Sequence, residues 1–460
     1  MSVQTFSLTT RIARPAPDVF AWHERPGALA RLCPPWERVE LVAATGGVRD
    51  GARVTVRNKF GPFWQQWEVE HRDYIPGVQF RDVQVSGPFA RWEHLHRIAP
   101  DGADACTLTD EISYRLPGGP LGQWAGGRFV AGKLAQLFAW RHATTKADLE
   151  STARYGAVAA RRILIAGGSG LVGRALEAFL QTQGHRVVRL VRRPARGDSE
   201  RTWNPSAGSI DPVALDGIDA VVNLAGENIA AGRWSAARRD AILRSRIDAT
   251  RTLVAAIARA AVKPAVLLNA SAVGIYGDCG DTILPEAGAP GGDFLAEVCR
   301  VWEAEAQRVA DQGVRPVLLR FGVVLTPAGG ALGKLLPLFK VGLGGRVGRG
   351  TQWMSWVSCD DVVGAIYHAL LEPRCRGPLN VVAPEPVTNT EFTQTLARTL
   401  RRPAVLPVPA IVLRAVFGEM ADATLLASTR VAPAALLATG YRFRHPHLAA
   451  ALADGLGREL

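Results

Sequence analysis

The sequence predicts two folds in tandem. The first is an α+β unit of antiparallel strands and one long helix. The second is an α/β unit on a doubly wound parallel sheet, ending in a small C-terminal module. Three observations carry this reading. Between Val39 and Leu116 six segments alternate apolar and polar residues, and from Leu121 to Leu149 the pattern turns helical. The stretch RRILIAGGSGLVGRALEAFLQTQGHRVVRLVRRP, Arg161 to Pro194, reads as strand, glycine-rich turn, helix and second strand. Beyond it, AVVNLA (220–225), VLLNA (266–270) and VLLRF (317–321) are continuous apolar runs separated by helical stretches, as buried parallel strands are.

The first unit opens with a strand, Val3–Ile12, and a short helical stretch, PAPDVFAWHERPGALARL, that begins at Pro15. Strands follow at Val39–Ala44, Ala52–Lys59, Trp64–Tyr74, Val78–Val85, Phe89–Ala99 and Ala105–Leu116, with Gly, Pro or Asp in most of the gaps. The long helix carries Leu121, Trp124, Phe129, Leu134, Leu137 and Phe138 among its apolar positions. A curved sheet gripping such a helix is expected to enclose an apolar cavity. Trp92, His94 and His96 share one strand face by period two. They could line the cavity or bind a metal. A His-x-His pair with no third ligand in view favours an ordinary polar strand face, and no metal site is assigned.

STARYGAVAARR, Ser151–Arg162, has small residues and no strong pattern and reads as a linker. The α/β unit is expected over 163–375 and the C-terminal module over 376–460. A chain of 460 residues is long enough for two or three domains, each with its own core. Six cysteines, at 33, 106, 279, 299, 359 and 375, show no CxxC and no metal-ligand spacing, which points to a reduced cytoplasmic protein. The N-terminus has no signal-peptide core, and the longest apolar stretch, Ala404–Leu413, is too short to span a bilayer. The net charge of +12 is spread without a continuous basic run or an aromatic RNA-binding signature, so a basic surface is expected rather than a nucleic-acid partner.

The chemistry-bearing motif is the loop between the apolar strand ILIA at 163–166 and the helix after it. Gly167, Gly170 and Gly173 form GxxGxxG, with Gly168, Ser169, Leu171 and Val172 between them. Glycines let a backbone approach a pyrophosphate, and a helix N-terminus offers free N–H groups and a favourable dipole. The next strand, Arg186–Val191, ends in Arg192 and Arg193, where an NAD site would place Asp or Glu for the ribose 2′-OH. Two arginines suit a 2′-phosphate, so NADP(H) is expected, with NAD the lesser option. Ligands bind at the carboxyl ends of parallel strands. The turns there are NLAGENI (223–229, with Leu224, Ala225, Gly226 and Glu227), SAVGIYGD (271–278) and LRFGVVL (319–325, with Arg320), and they should ring the cofactor.

Residues 1–150 resemble the START-like (polyketide cyclase, ligand-transport) superfamily. The resemblance rests on element order, on PPW at 34–36, and on GPFARWEHLHRI followed by LTDEISYRLPGG. It implies a helix-grip fold that binds hydrophobic small molecules. Residues 162–455 closely resemble the epimerase-like, atypical short-chain dehydrogenase/reductase family of NAD-dependent epimerase/dehydratases, with its Rossmann fold. The motifs are GGSGLVG, NLAGENI, SRIDATRTL (245–253, with Arg246), PGGDFLAEVCRVWEAEA (290–306), GLGGRVGRGTQWMSWVSCDDVV (342–363) and LNVVAPEPVTNTEF (379–392). In the C-terminal module, Thr388 and Glu391 suggest a capping box for a helix beginning near Asn389, and Pro433 suits the first turn of another.

This chain departs from the family where chemistry is concerned. Active short-chain enzymes pair a Tyr acid/base with a Lys four residues later, which lowers the Tyr pKa. None of the six tyrosines here has Lys at that spacing, and no Lys lies between Lys263 and Lys334. If Glu303 anchors the corresponding helix, Leu295 stands at the Tyr position and Cys299 at the Lys position. Ser271 falls near the usual catalytic serine, one residue early, and Tyr276 is the only nearby phenol, so these two are the catalytic candidates. In related enzymes that tyrosine usually supports the strand end. Three functions fit. One is an NADP(H)-dependent oxidoreductase or epimerase acting on a small molecule, with a hydrophobic substrate and a homodimer as options. The second is a dinucleotide-binding redox sensor without turnover. The third is a carrier whose first domain holds a hydrophobic ligand.

Overall fold

The computed structural model describes residues 3–458. They divide into two compact units, 1–159 with 178–184 and 160–177 with 185–460.

The first unit contains β1 (Gln4–Ile12), α1 (Ala16–Glu24), α2 (Ala28–Arg31), β2 (Val39–Ala44), β3 (Arg53–Phe60), β4 (Phe63–Ile75), β5 (Gln79–Ser86), β6 (Arg91–Pro100), β7 (Cys106–Arg115) and α3 (Gly119–Ala153). Its seven strands form one antiparallel sheet in the order β1-β7-β6-β5-β4-β3-β2. Connections of two to eight residues join the successive strands from β2 to β7, and β1 pairs with β7 at the far edge. The expected strands are all present. The linker is shorter than read from sequence, because α3 runs on through Ala153 and the next strand starts at Arg162.

Two expectations for this unit need correction. The apolar residues early in α3 do not face the sheet: Leu121, Trp124 and Phe129 are 77%, 87% and 63% exposed, whereas Leu134 and Phe138 are buried. The reason is length. A helix of 35 residues extends about 52 Å, while a ten-residue strand covers about 33 Å. The first turns of α3 therefore have too little sheet to lie on. The interior is also not purely apolar. One apolar cluster holds Trp22, Phe80, Ile98 and Leu108, and another holds Trp92, Ile112, Tyr114, Leu134 and Phe138. His96 stacks on Phe80 of the first and His94 meets Phe138 of the second edge-on. Around these rings, His23, His71, Asp110 and His142 are buried as well.

The second unit is the doubly wound sheet. Its strands are β8 (Arg162–Ala166), β9 (Arg186–Val191), β10 (Glu200–Asn204), β11 (Ser209–Ile210), β12 (Ala220–Asn223), β13 (Val266–Ala272), β14 (Arg315–Phe321) and β15 (Gly377–Val381). They lie in the order β11-β10-β9-β8-β12-β13-β14-β15, and every pairing is parallel except that of β11. The order reverses beside β8, where the chain first builds outward to β11 and then returns to place β12 on the other side. That reversal opens a crevice at the carboxyl end of β8, and the glycine loop sits there. The helices that position the site are α4 (Leu171–Thr182), α5 (Ala236–Arg259) and α6 (Phe294–Gln307). Their N-caps are built as expected of Ser and Asp: Ser235 accepts from Arg238 N and Asp293 from Ala296 N.

The last strand revises the boundary expected at 375. Gly377–Val381 pairs with β14 and completes the main sheet, so the C-terminal module begins after it. In that module the capping box forms as expected, with Thr388 and Glu391 each accepting from the other's backbone N–H around the helix Asn389–Leu400. Pro433 stands at the N-cap of Ala434–Ala438, one position before the first turn.

Candidate functional site

The glycines of the loop do three different jobs. Gly167 has φ +81°, and a Cβ on it would lie 2.7 Å from the Leu224 carbonyl, so it makes the turn. A Cβ on Gly173 would lie 2.3 Å from Gly167 O, so this glycine lets α4 close on the strand. Gly170 is the open one. A Cβ there would meet only Gly167 O, at 3.2 Å, and its face is turned to a cleft.

That cleft holds about 290 Å³. Gly167, Gly170, Leu171, Val172 and Gly173 form one wall, with Leu224, Ile229 and Arg246 beside them. Ala270, Ser271 and Ala272 end β13 at its floor, and Leu295, Val298, Cys299 and Trp302 of α6 close the other side with Phe321. Of the residues expected around a cofactor, Gly167, Gly170, Leu171, Val172, Gly173, Leu224 and Arg246 line the cleft, as does Ser271. Ala225, Gly226 and Glu227 continue the turn next to Leu224, and Gly226 packs on Arg246. The Ser169 carbonyl accepts from Arg174, and Gly168 lies against Arg189, whose Cγ would be 3.2 Å from a Cβ there.

Arg246 is the informative cation. It donates to the carbonyls of Glu227 and Ile242, at 3.1 and 2.9 Å, and its guanidinium lies 5.1 Å over Trp302. Among the described residues it has no carboxylate ion pair. Burial pushes its pKa down from the usual arginine value. A half-buried cation answered by carbonyls, a ring and the field of the Glu227 carboxylate, with no ion pair among the described residues, would gain from an anion in the cleft.

At the end of β9 the two expected arginines differ. Arg193 donates to both oxygens of Glu200, at 2.8 and 2.7 Å, and Arg189 donates to the same carboxylate at 2.9 Å. The Arg193 hydrogen bonds first, then the Arg196 backbone N–H at 2.8 Å and the charges of Arg193 and Arg189, pull the Glu200 carboxyl down to about 2. Arg192 is exposed, and its side chain has no partner among the described residues. Arg189 was not read from the sequence as a site residue, because a single polar residue inside an apolar strand looks like an edge feature.

The catalytic candidates separate. Ser271 Oγ lines the cleft but donates to Glu303 Oε1 at 2.6 Å. Glu303 in turn receives two bonds of 2.8 Å from Arg320 Nε and Nη2. Arg320 Nη1 donates to the Tyr276 hydroxyl and to the Glu286 carbonyl, both at 2.8 Å. Tyr276 donates to Asn380 Oδ1 at 2.8 Å and is 1% exposed. Two sequence readings are corrected here. Tyr276 is not positioned as an acid/base, because its proton and lone pairs are engaged away from the cleft and burial raises its pKa. Arg320 does not line the cleft, because its nitrogens are spent on Glu303, Tyr276 and Glu286.

Leu295 and Cys299 stand one helical turn apart on the cleft wall, where the sequence register put the missing Tyr and Lys. Burial pushes the Cys299 thiol up to about 11, with Glu303 adding to the shift, so it stays protonated at neutral pH and is no base. The i, i+3, i+4, i+7 spacing of Leu295, Val298, Cys299 and Trp302 was the signal that could have revealed this wall from sequence.

Comparison with known proteins agrees with both resemblances. A sequence-family model for the NAD dependent epimerase/dehydratase family matches residues 163–382. One for polyketide cyclase / dehydrase and lipid transport matches 3–155, and a domain of unknown function (DUF1731) matches 408–455. Epimerase family protein Mb2239 of Mycobacterium bovis is 47% identical over 290 residues, 63% of this chain and 96% of the relative. Human epimerase family protein SDR39U1 is 39% identical over 297 residues, 64% of this chain and 99% of the relative. Among solved structures, the nucleoside-diphosphate sugar epimerase from Corynebacterium glutamicum has 34% identity and a TM-score of 0.81, covering 98% of this chain and 90% of that one. Human SDR39U1 (isoform 2) with NADPH has 38% identity and a TM-score of 0.60, covering 64% of this chain and 99% of that one. Among the described residues, no helix is long and apolar enough to cross a membrane.

Proposed function

The chain belongs to the NAD dependent epimerase/dehydratase family, and from that premise we propose that its cleft binds NADP(H) and serves an oxidoreductase or epimerase acting on a small apolar molecule. The observation that carries the cofactor is Arg246, a half-buried cation with no carboxylate ion pair among the described residues, beside a glycine loop whose Gly170 leaves room for a pyrophosphate. Arg246 and the loop N–H groups at the start of α4 would hold the phosphates. Arg192, beside the Arg189–Glu200–Arg193 cluster, would meet the 2′-phosphate. The bound nicotinamide would supply hydride transfer. The protein's own part is to orient the reactants and exclude water, since Leu295, Val298, Trp302 and Phe321 wall the cleft with apolar surface.

A substrate of apolar character suits those walls better than a sugar would, because sugar hydroxyls would meet no partner on them. The N-terminal unit is then a hydrophobic-ligand domain fused to the nicotinamide site. The second reading, a dinucleotide-binding protein without turnover, is favoured by one observation: Leu295 and the protonated Cys299 offer no acid/base, and Tyr276 is engaged elsewhere.

Calorimetric titration tests the cofactor. NADPH should bind at least about tenfold more tightly than NADH, a difference of about 1.4 kcal/mol. Equal affinities would remove the 2′-phosphate assignment. Transfer of deuteride from labelled NADPH to an added apolar carbonyl compound separates the oxidoreductase from the sensor.

A further inference from the structure

We propose that Asp82, His94 and His96, in the interior of the N-terminal unit, form a binding site for one divalent transition-metal cation of the zinc class, with Asp110 as the carboxylate that orients both histidines.

The sheet register assembles the cluster. His71 on β4 pairs with Asp82 on β5, Asp82 pairs with His94 on β6, and His96 pairs with Asp110 on β7. Directly paired residues point to the same face of a sheet, so four adjacent strands present two carboxylates and three imidazoles together. His142 of α3 adds a fourth imidazole, donating to Asp110 Oδ2 at 2.9 Å with Thr10 Oγ1 at 2.8 Å from its other nitrogen.

Distances select the ligand atoms. Asp82 Oδ2 lies 3.6 Å from His94 Nδ1 and 3.5 Å from His96 Nε2, and one ligand atom from each of the three residues lies within 4.8 Å of the other two. Bonds of about 2.0–2.2 Å in a tetrahedral centre set neighbouring ligand atoms about 3.4 Å apart. The observed separations are long for hydrogen bonds and close to that edge.

The remaining atoms form the outer shell that metal-binding histidines use. Asp110 Oδ1 lies 3.3 Å from His94 Nε2 and 2.7 Å from His96 Nδ1, the ring nitrogens that face away from Asp82 Oδ2. His71 Nδ1 lies 2.6 Å from Asp82 Oδ1, the carboxylate oxygen not used by the triad. A carboxylate on the far nitrogen of each histidine fixes the tautomer that presents a lone pair to a metal.

Two observations argue against a closed network of ion pairs. His71 Nδ1, Asp82 Oδ1, His94 Nε2, His96 Nδ1 and Asp110 Oδ1 are buried atoms without a properly aligned hydrogen bond, although their partners are close. Also, among the described residues, every ion-pair partner of Asp82 and Asp110 is a histidine. Two carboxylates in one interior, with no Lys or Arg ion pair among the described residues, need positive charge from a protonated ring or from a bound cation. A divalent cation supplies it without protonating the rings. Two nitrogens and one carboxylate suit zinc-class or iron(II)-class ions rather than Mg²⁺ or Ca²⁺. Three protein ligands leave at least one position open to water or to an oxygen donor of a bound molecule.

The full chain, stripped with chelator and titrated with Co²⁺, should take up one equivalent with the visible absorption of a four- or five-coordinate nitrogen/oxygen site. Zn²⁺ should displace it. His94→Ala and Asp82→Asn should abolish the spectrum, and Asp110→Asn should weaken binding about 10–100-fold. Asp454→Asn should change nothing, although it disables the other His/Asp grouping of the described residues, Asp360, His445 and Asp454. X-ray absorption of the zinc-loaded wild-type chain should show two imidazoles, a result that does not depend on any variant folding. No uptake by the wild-type chain, a spectrum that survives both His94→Ala and Asp82→Asn, loss in Asp454→Asn, or absorption without imidazole scattering would each overturn the site.

Discussion

In the α/β unit, Ser271, Glu303, Arg320, Tyr276 and Asn380 are joined by aligned hydrogen bonds of 2.6–2.8 Å. In the antiparallel unit, Asp82, His94, His96 and Asp110 stand at similar or slightly greater distances, yet five buried atoms of the cluster around them lack an aligned bond. Both clusters are polar and largely buried, and both mix carboxylates with cationic or potentially cationic groups. The first is finished by the protein itself. In the second, one ligand atom each of Asp82, His94 and His96 converges on a common space, and the contacts behind them are close but not aligned. A finished network fixes geometry, and breaking it costs stability. An unaligned one gains stability from any ion that binds the folded chain there. Being buried and ionisable therefore does not by itself mark a functional site; the state of the partners decides.

The largest effect comes from breaking the finished network. Glu303→Leu leaves Arg320 buried without its carboxylate, and removing one partner of such a pair costs about 3–5 kcal/mol. The α/β unit should unfold at lower denaturant while chelator-stripped N-terminal unit signals stay unchanged. A loss under about 1 kcal/mol, read by urea denaturation of the full chain, would show that water or rearrangement already satisfies Arg320.

The cleft is the unfinished counterpart within the α/β unit, with Arg246 awaiting an anion. Gly170→Val puts a branched side chain into that space and meets little protein on the way, since only Gly167 O lies near. NADPH affinity should fall by at least about 100-fold, with the melting temperature of the ligand-free chain nearly unchanged. Retained affinity would mean that the loop does not carry the pyrophosphate.

How much of this contrast could be read from sequence depends on the range of the interactions. The α/β unit was legible because its signals are local: an apolar strand, a glycine turn and a helix within twenty residues, then strands of continuous apolar character. The Leu295 and Cys299 positions were also reachable, because they follow from helical register. What made Tyr276 and Arg320 structural was not reachable, since Asn380 lies 104 residues from Tyr276 and comes from the last strand of the sheet. The His94-x-His96 pair read as an ordinary polar strand face for the same reason. Its third ligand, Asp82, comes from the neighbouring strand, and the carboxylate behind it, Asp110, from the strand on the other side. Strand pairing brings these residues together, and no motif spacing records it. The misjudged start of α3 is a third case. Leu121, Trp124 and Phe129 keep a helical apolar pattern, but the pattern says nothing about whether the sheet is long enough to cover them.

A smaller effect sharpens the comparison at the end of β9. Arg193 belongs to a finished cluster with Glu200, and Arg192 does not. Arg192→Ala should therefore remove most of the preference for NADPH over NADH, about tenfold, and leave NADH affinity and stability unchanged. Arg193→Ala should also destabilise the strand end, because Glu200 would lose a close cation. If Arg193→Ala alone erases the preference while Arg192→Ala keeps it, the 2′-phosphate sits at the Glu200 cluster instead.

The smallest effect on cofactor binding is the sharpest test of the finished network. Tyr276 is the one phenol near the cleft, and a catalytic role for it would make Tyr276→Phe ruinous to any turnover. Its bonds argue for a different outcome. The hydroxyl links Asn380 to Arg320, and Arg320 keeps Glu303 and the Glu286 carbonyl when the phenol is gone. Asn380 keeps the Ala432 carbonyl through its amide nitrogen. The ring itself still fills its place in the apolar cluster with Ile275 and Leu284. Deleting one oxygen should cost about 1–3 kcal/mol of stability, because Asn380 Oδ1 is left buried without its donor. NADPH affinity should stay within about twofold, and deuteride transfer from NADPH, wherever it is detected, should keep its rate and its pH profile. A thousandfold fall in that rate with stability intact would return Tyr276 to the chemistry and show that the network opens when substrate binds.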